Sequence, residues 1–246
     1  MKNKHPIGLR TLFFTEMWER MSYYGMRGIL VLFMTASISN GGLDFSNSSA
    51  SAIYGIYAAA VYLMALPGGW IADNIFGQQK TILFGGIVIM FGHLSLAIPD
   101  MTFFYLGLIL VVIGTGLLKP NISAIVGGLY DGNPSLKESG FTIFYMSINI
   151  GSILGFFICG YLGENIGWHY GFGAAGIGML LGILQYYFNL RSLGDVGLEP
   201  TNLISEKTKN SYKKITLIIS TLTLILIFSS LLGFWTINPI PLANIL

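Results

Sequence analysis

The sequence predicts an all-α protein that crosses a membrane several times, with six helices in one bundle and one further apolar segment beyond a polar connection. Three observations carry that expectation. Of 246 residues, 53% are apolar and only 10% charged, and the mean hydropathy is +0.68, more apolar surface than a water-exposed fold can bury. Apolar runs of about 20 residues, enough to span roughly 30 Å of hydrocarbon, recur along the chain. The runs do not alternate at a period of two, as barrel strands would, so helices that satisfy their own backbone are expected at membrane depth.

The runs fall at 11–38, 50–72, 81–98, 103–126, 140–162, 168–190 and 215–237. They divide the chain into a six-helix bundle over 1–190, a connection over 191–214, and a last helix with a short tail over 215–246. Of the 13 basic residues, ten lie at the N-terminus or in the second, fourth and sixth connections: Lys2, Lys4, Arg10, Lys80, Lys137, Arg191, Lys207, Lys209, Lys213 and Lys214. The first, third and fifth connections have none. By the positive-inside rule, the N-terminus and the long connection are expected in the cytoplasm. The first apolar run contains Glu16, Glu19 and Arg20, so it reads as a retained helix and not as a cleaved leader.

The other three basic residues, Arg20, Arg27 and Lys119, lie inside apolar runs, where a charge is costly and marks a candidate functional site. On the first helix Glu16, Glu19, Arg20, Tyr23 and Arg27 share a face of about 100°, which must look at protein or a cavity. A plainer reading is open too, with Glu16 and Glu19 only neutralising Arg20 near the helix end. Arg27 and Lys119 have no acidic neighbour in sequence and each needs something anionic to face. Pro120 follows Lys119 and removes a backbone donor, which suits a bending element. Gly107, Gly114 and Gly116 allow a neighbouring helix to approach. Asn149 on the fifth helix wants hydrogen-bond partners at membrane depth, from another helix or from a ligand. Cys159 is the single cysteine and reads as a small buried side chain; His93 reads as a packing residue. Neither a metal site nor a catalytic motif of the Gly-x-Ser-x-Gly or His-Glu-x-x-His type is present in the sequence, and no enzyme activity is expected.

The segment Glu16-Met17-Trp18-Glu19-Arg20-Met21-Ser22-Tyr23-Tyr24-Gly25 resembles the E-x-x-E-R-F-x-Y-Y-G motif of proton-dependent oligopeptide transporters, a family of the major facilitator superfamily, with Met21 where the motif has Phe. Gly68-Gly69-Trp70-Ile71-Ala72-Asp73-Asn74-Ile75-Phe76-Gly77, followed by Thr81, Gly86 and Gly92, is similar to the family's first signature, and Phe141 to Ile153 to its second. Gly114-Thr115-Gly116-Leu117-Leu118-Lys119-Pro120 matches a further family context. The loop departs from the wider superfamily in ending Gly77-Gln78-Gln79-Lys80, without adjacent basic residues. That leaves Asp73 and Gly77 open between charge contacts and simple ordering of the turn.

The resemblance covers the chain but only half the usual length of the family. It implies symport of di- and tripeptides with protons, with no cofactor and H⁺ as coupling ion. It implies proton handling by Glu16, Glu19 and Arg20, a positive pocket of Arg27 and Lys119 for the peptide carboxylate, and backbone contacts from Asn149 and Tyr24 or Tyr62. Tyr23 is expected to support the glutamate and arginine side chains, and Pro120 to take part in gating. Lys119 is expected to hold a glutamate until peptide arrives. The expected setting is a bacterial cell membrane, with small peptides, protons and lipid as partners and no nucleic acid. This half alone is not expected to transport; it reads either as the subunit of a split transporter whose second bundle a separate chain supplies, or as a non-transporting remnant. Nitrate or another small anion is the alternative cargo.

Overall fold

A computed structural model describes residues 4–202 and Thr208; the segment 215–237 lies outside the described residues. The helices are α1 (Ile7–Thr35), α2 (Asn47–Ile71), α3 (Gln78–Leu96), α4 (Met101–Gly128), α5 (Lys137–Asn165) and α6 (Trp168–Asn189). They follow the six expected runs, the largest offset being the start of α1, at 7 where 11 is expected. α2 through α6 are each long and apolar enough to cross a membrane. α1 is 29 residues long and is set apart by Arg10, Glu16, Glu19, Arg20 and Arg27.

Local chemistry fixes the ends. Ser46 caps α2 by accepting the Ser49 N–H at 3.1 Å, and Asp100 caps α4 by accepting from Thr102 at 2.8 Å, each satisfying an amide that the first turn leaves free. A π-helical turn, Ala72–Phe76, follows α2, and the chain then reverses at Gly77 with φ +79°. A Cβ there would stand 2.5 Å from the Leu198 carbonyl oxygen, so glycine is required both by the dihedral and by the close approach.

Small residues set the helix packing, as the glycines of the fourth run suggest. α3 and α4 run antiparallel: a Cβ at Gly85 would meet the Gly114 carbonyl at 2.7 Å and one at Gly92 the Gly107 carbonyl at 3.0 Å, with each partner reciprocating. α1 and α5 run parallel, Gly151 backing onto Met17 and Gly155 onto Met21, with Cys159 against Gly25. α2 lies on α4, where Gly68 presses on the Gly116 carbonyl. That carbonyl is the one whose helical donor Pro120 lacks, yet α4 runs unbroken from 101 to 128. Asn121 secures the crossing by donating to the Gly68 carbonyl at 3.2 Å. α6 closes the bundle over α1 and α3, with Trp18 seated against Gly178 and Gly182. α2 makes only slight contact with α1.

Two apolar clusters fill the interior. One gathers Met26, Leu30, Phe33, Tyr57, Phe104 and Phe172; the other Leu12, Ile82, Leu118, Ile122 and Tyr186. Along α1 the Glu16–Arg20 stretch falls between them.

The chain leaving α6 does not swing free at once. Leu190–Leu193 continues as a 3-10 turn, and Gln79, itself buried, donates through its amide to the carbonyls of Gly194 and Val196, both at 2.9 Å. Asn202 donates its N–H to the Asp73 carbonyl at 2.9 Å, and Thr11 bonds Ser192 at 2.6 Å. The first residues of the segment expected as a connection are thus bound across the basic end of the bundle.

Candidate substrate and proton site

The charged face of α1 is buried as the arc predicts. Glu16, Glu19 and Arg20 are each no more than 3% exposed. Arg20 Nε pairs with Glu16 Oε1 at 2.9 Å, one helical turn away, and also with Glu19. Two carboxylates therefore share one guanidinium. Arg20 is further held by aromatic faces, its Cζ 5.2 Å from the centroid of Tyr23 and 6.0 Å from that of Tyr24, a favourable place for a poorly hydrated guanidinium. Tyr23 thus touches Arg20 through its ring face.

Arg27, two turns further on, pairs across to α2. It donates from Nε to the Tyr54 hydroxyl, and its Cζ lies 5.1 Å from the centre of that ring. Lys119 on α4 stands 5.0 Å over the ring of Tyr62. Tyr62 is 66% exposed, while Arg27 and Lys119 are partly exposed; these are the polar tips a ligand could reach. Tyr23 lies within electrostatic reach of Arg27, Glu19 and Tyr62, and Glu19 within reach of Lys119. Residues of three helices thus form one cluster, with the two tyrosine-held cations on its open side.

One expectation needs correcting. Lys119 was to hold a glutamate in the absence of peptide, but among the described residues the buried ion pairs are both made by Arg20. Arg20 is on the glutamates' own helix, adjacent to one and a turn from the other, and pairs with both. Lys119 acts on Glu19 only at a distance.

The remaining residues fall outside this cluster. Asn149 is an exposed position of α5, two residues before the Gly151 that backs onto Met17 and Arg20. Asp73 and Gly77 belong to the α2–α3 turn at the basic end; no ion pair among the described residues involves Asp73, and α3 has Gly77 and not a side chain at its cap. The turn's exposed ion pair is instead Lys80 with Glu199 at 3.9 Å. Sequence reasoning missed Tyr54 and Tyr57 on α2 and the buried Gln79. The first two had a signal, since Tyr54, Tyr57 and Tyr62 recur along one membrane-length helix; Gln79 had none beyond its departure from the usual basic pattern.

A sequence model of the POT family, PTR2, matches residues 79–237. The chain belongs to the POT family. Its relatives in that family include the uncharacterized transporter YclF of Bacillus subtilis, 48% identical over 206 residues that make up 83% of this chain and 42% of that protein. A di-/tripeptide transporter of Lactococcus lactis subsp. cremoris is 43% identical, over 97% of this chain and 48% of the relative. In three dimensions the chain matches the crystal structure of a peptide transporter POT in complex with sulfate, with a TM-score of 0.89 and 40% identity over 98% of this chain and 49% of that one. The chain spans about half the length of the POT proteins it matches. The bundle is accordingly a POT-type membrane fold, multi-pass and all-helical, of a kind known from bacteria.

Proposed function

We propose that this chain supplies the N-terminal half of a transporter that carries di- and tripeptides together with protons across a bacterial cell membrane, with its N-terminus in the cytoplasm. The observation that carries the reading is the cluster on α1, α2 and α4: a buried acid pair sharing one guanidinium, beside two cations held at an open surface by aromatic rings. The similarity to a di-/tripeptide transporter of Lactococcus lactis supports it.

The charges suit the task. Glu16, Glu19 and Arg20 sum to one negative charge in a buried site, and uptake of one proton cancels it. Arg27 and Lys119 present positive charge to a ligand, and a peptide carboxylate is an anion that a guanidinium and an ammonium can grip together. When the carboxylate takes up Lys119's charge, Glu19 loses the field of that cation and proton binding there becomes more favourable. Peptide and proton then assist each other's binding, which is what symport requires. In this reading Asn149, with Tyr24 or Tyr62, bonds the peptide backbone. The amino end of the peptide falls to a complementary six-helix half, against which this bundle rocks.

Proteoliposomes combining this chain with the complementary half of the Lactococcus relative, under an inward proton gradient, test the reading. Labelled dialanine accumulates and an uncoupler abolishes the accumulation; Glu19→Gln removes gradient-driven accumulation while dialanine exchange continues. Full accumulation in Glu19→Gln sinks the proton assignment, and uptake of nitrate in place of dialanine sinks the peptide assignment.

A further inference from the structure

Tyr57 is a buried phenol for which neither packing nor the proposed transport reaction gives a use. It lies on α2, one turn from Tyr54, and is 4% exposed. Its hydroxyl has no hydrogen-bond partner among the described residues. An unsatisfied buried hydroxyl costs about 1–3 kcal/mol, and a phenylalanine would fill the same space without that cost.

Its surroundings indicate a partner. Tyr57 is within electrostatic reach of Tyr23, Glu19 and Arg27, all on α1, and its hydroxyl is near the Tyr23 phenol without closing a hydrogen bond. Of α4, Phe104, Leu108 and Val111 share its core cluster, Thr115 is a buried hydroxyl of the same helix, and Lys119 acts on Glu19. Tyr23 is occupied by the guanidinium of Arg20 over its ring, and Arg20 is held there by Glu16 and Glu19. α1 and α2 otherwise touch only slightly, so a bond between these two phenols would add materially to what joins them.

We propose that Tyr57 is a positioning residue that ties the proton state of α1 to α2, its hydroxyl bonding that of Tyr23 once Glu19 releases Arg20. This rests on Glu19 as the proton site. In the unprotonated cluster Arg20 holds Tyr23 beside Tyr57 but short of a closed hydrogen bond. Protonation of Glu19 frees one side of Arg20, Tyr23 relaxes, and the two hydroxyls meet. α2 is then drawn toward α1 on the helix that carries Tyr54, the partner of Arg27, and Tyr62, the partner of Lys119. Both cations of the open surface are thereby linked to the proton through α2.

Infrared difference spectroscopy of the chain in lipid nanodiscs, with ring-labelled tyrosine, reads this directly, because the phenol C–O band reports hydrogen bonding. Glu19→Gln mimics the protonated carboxyl. The Glu19→Gln minus wild-type spectrum is expected to show a shifted tyrosine band that disappears when the same pair is compared in Tyr57→Phe or in Tyr23→Phe, and that persists in Tyr54→Phe. A band that survives Tyr57→Phe, or no band at all, overturns the proposal. Should Glu19→Gln fail to fold, the acid minus neutral spectrum of the wild type carries the same comparison with native residues. Uptake assays judge Glu19 as the transport proton site separately: a tyrosine band without a transport defect in Glu19→Gln removes the larger reading and leaves the Tyr57 contact, and the reverse pattern removes Tyr57 alone.

Discussion

Two kinds of cation face this bundle, and their surroundings separate their roles. Arg20 is sealed between carboxylates and rings, while Arg27 and Lys119 are each braced by one tyrosine and left partly open. A buried ion pair that loses a partner leaves an uncompensated charge, at about 3–5 kcal/mol. Arg20→Ala is therefore expected to lower the folding stability of the chain sharply, read as loss of folded protein in thermal scans, whereas Arg27→Ala leaves folding intact and weakens peptide binding roughly tenfold or more. Tyr54→Phe removes the acceptor that aims Arg27, and a several-fold loss of affinity is expected with the same folding as wild type. The arc on α1 was legible in the sequence because helical periodicity alone places those residues together. The braces were not: Tyr54 and Tyr62 are on another helix, and tyrosine in a membrane run reads equally well as packing.

At the scale of the helix, the seams are built from glycine. Helices in lipid gain nothing from hiding apolar surface from one another and rely on close contact. At Gly155 a Cβ would stand 2.4 Å from the Met21 carbonyl oxygen, while at Gly160, further along α5 on another face, nothing lies within 4 Å. Gly155→Leu is expected to destabilise the α1–α5 seam by about 1–3 kcal/mol or more and Gly160→Leu to change little, measured as the difference in detergent melting temperature. Helix bounds were legible to within four residues because apolar runs end where turn-forming and capping residues begin. The binding of residues 190–202 across the basic end was not, since Gln79 reaches backbone carbonyls more than a hundred positions away, and carbonyls carry no mark in a sequence. Gln79→Ala removes both bonds, and faster proteolysis between 190 and 202 is expected in limited digests.

For the whole molecule, the even connections hold basic residues and the odd ones hold none, which is the ground for the orientation proposed here, with the N-terminus in the cytoplasm. The chain has one cysteine, Cys159, and it is buried, so introduced cysteines report without interference. Ser39→Cys, between α1 and α2, is expected to react with a membrane-impermeant thiol reagent on intact cells, and Ser135→Cys, between α4 and α5, only after the cells are opened. In the proposed transporter the partly exposed Arg27 and Lys119 lie on the side that a second bundle would close. The claim on which the functional reading turns is that Arg27 and Lys119 grip a carboxylate. Inhibition of labelled dialanine uptake in the paired-half proteoliposomes, by unlabelled dialanine and by its C-terminal amide, measures this. The amide should inhibit at least about tenfold more weakly, with the gap closing in Arg27→Ala and Lys119→Ala; equal inhibition by both in the wild type would contradict it.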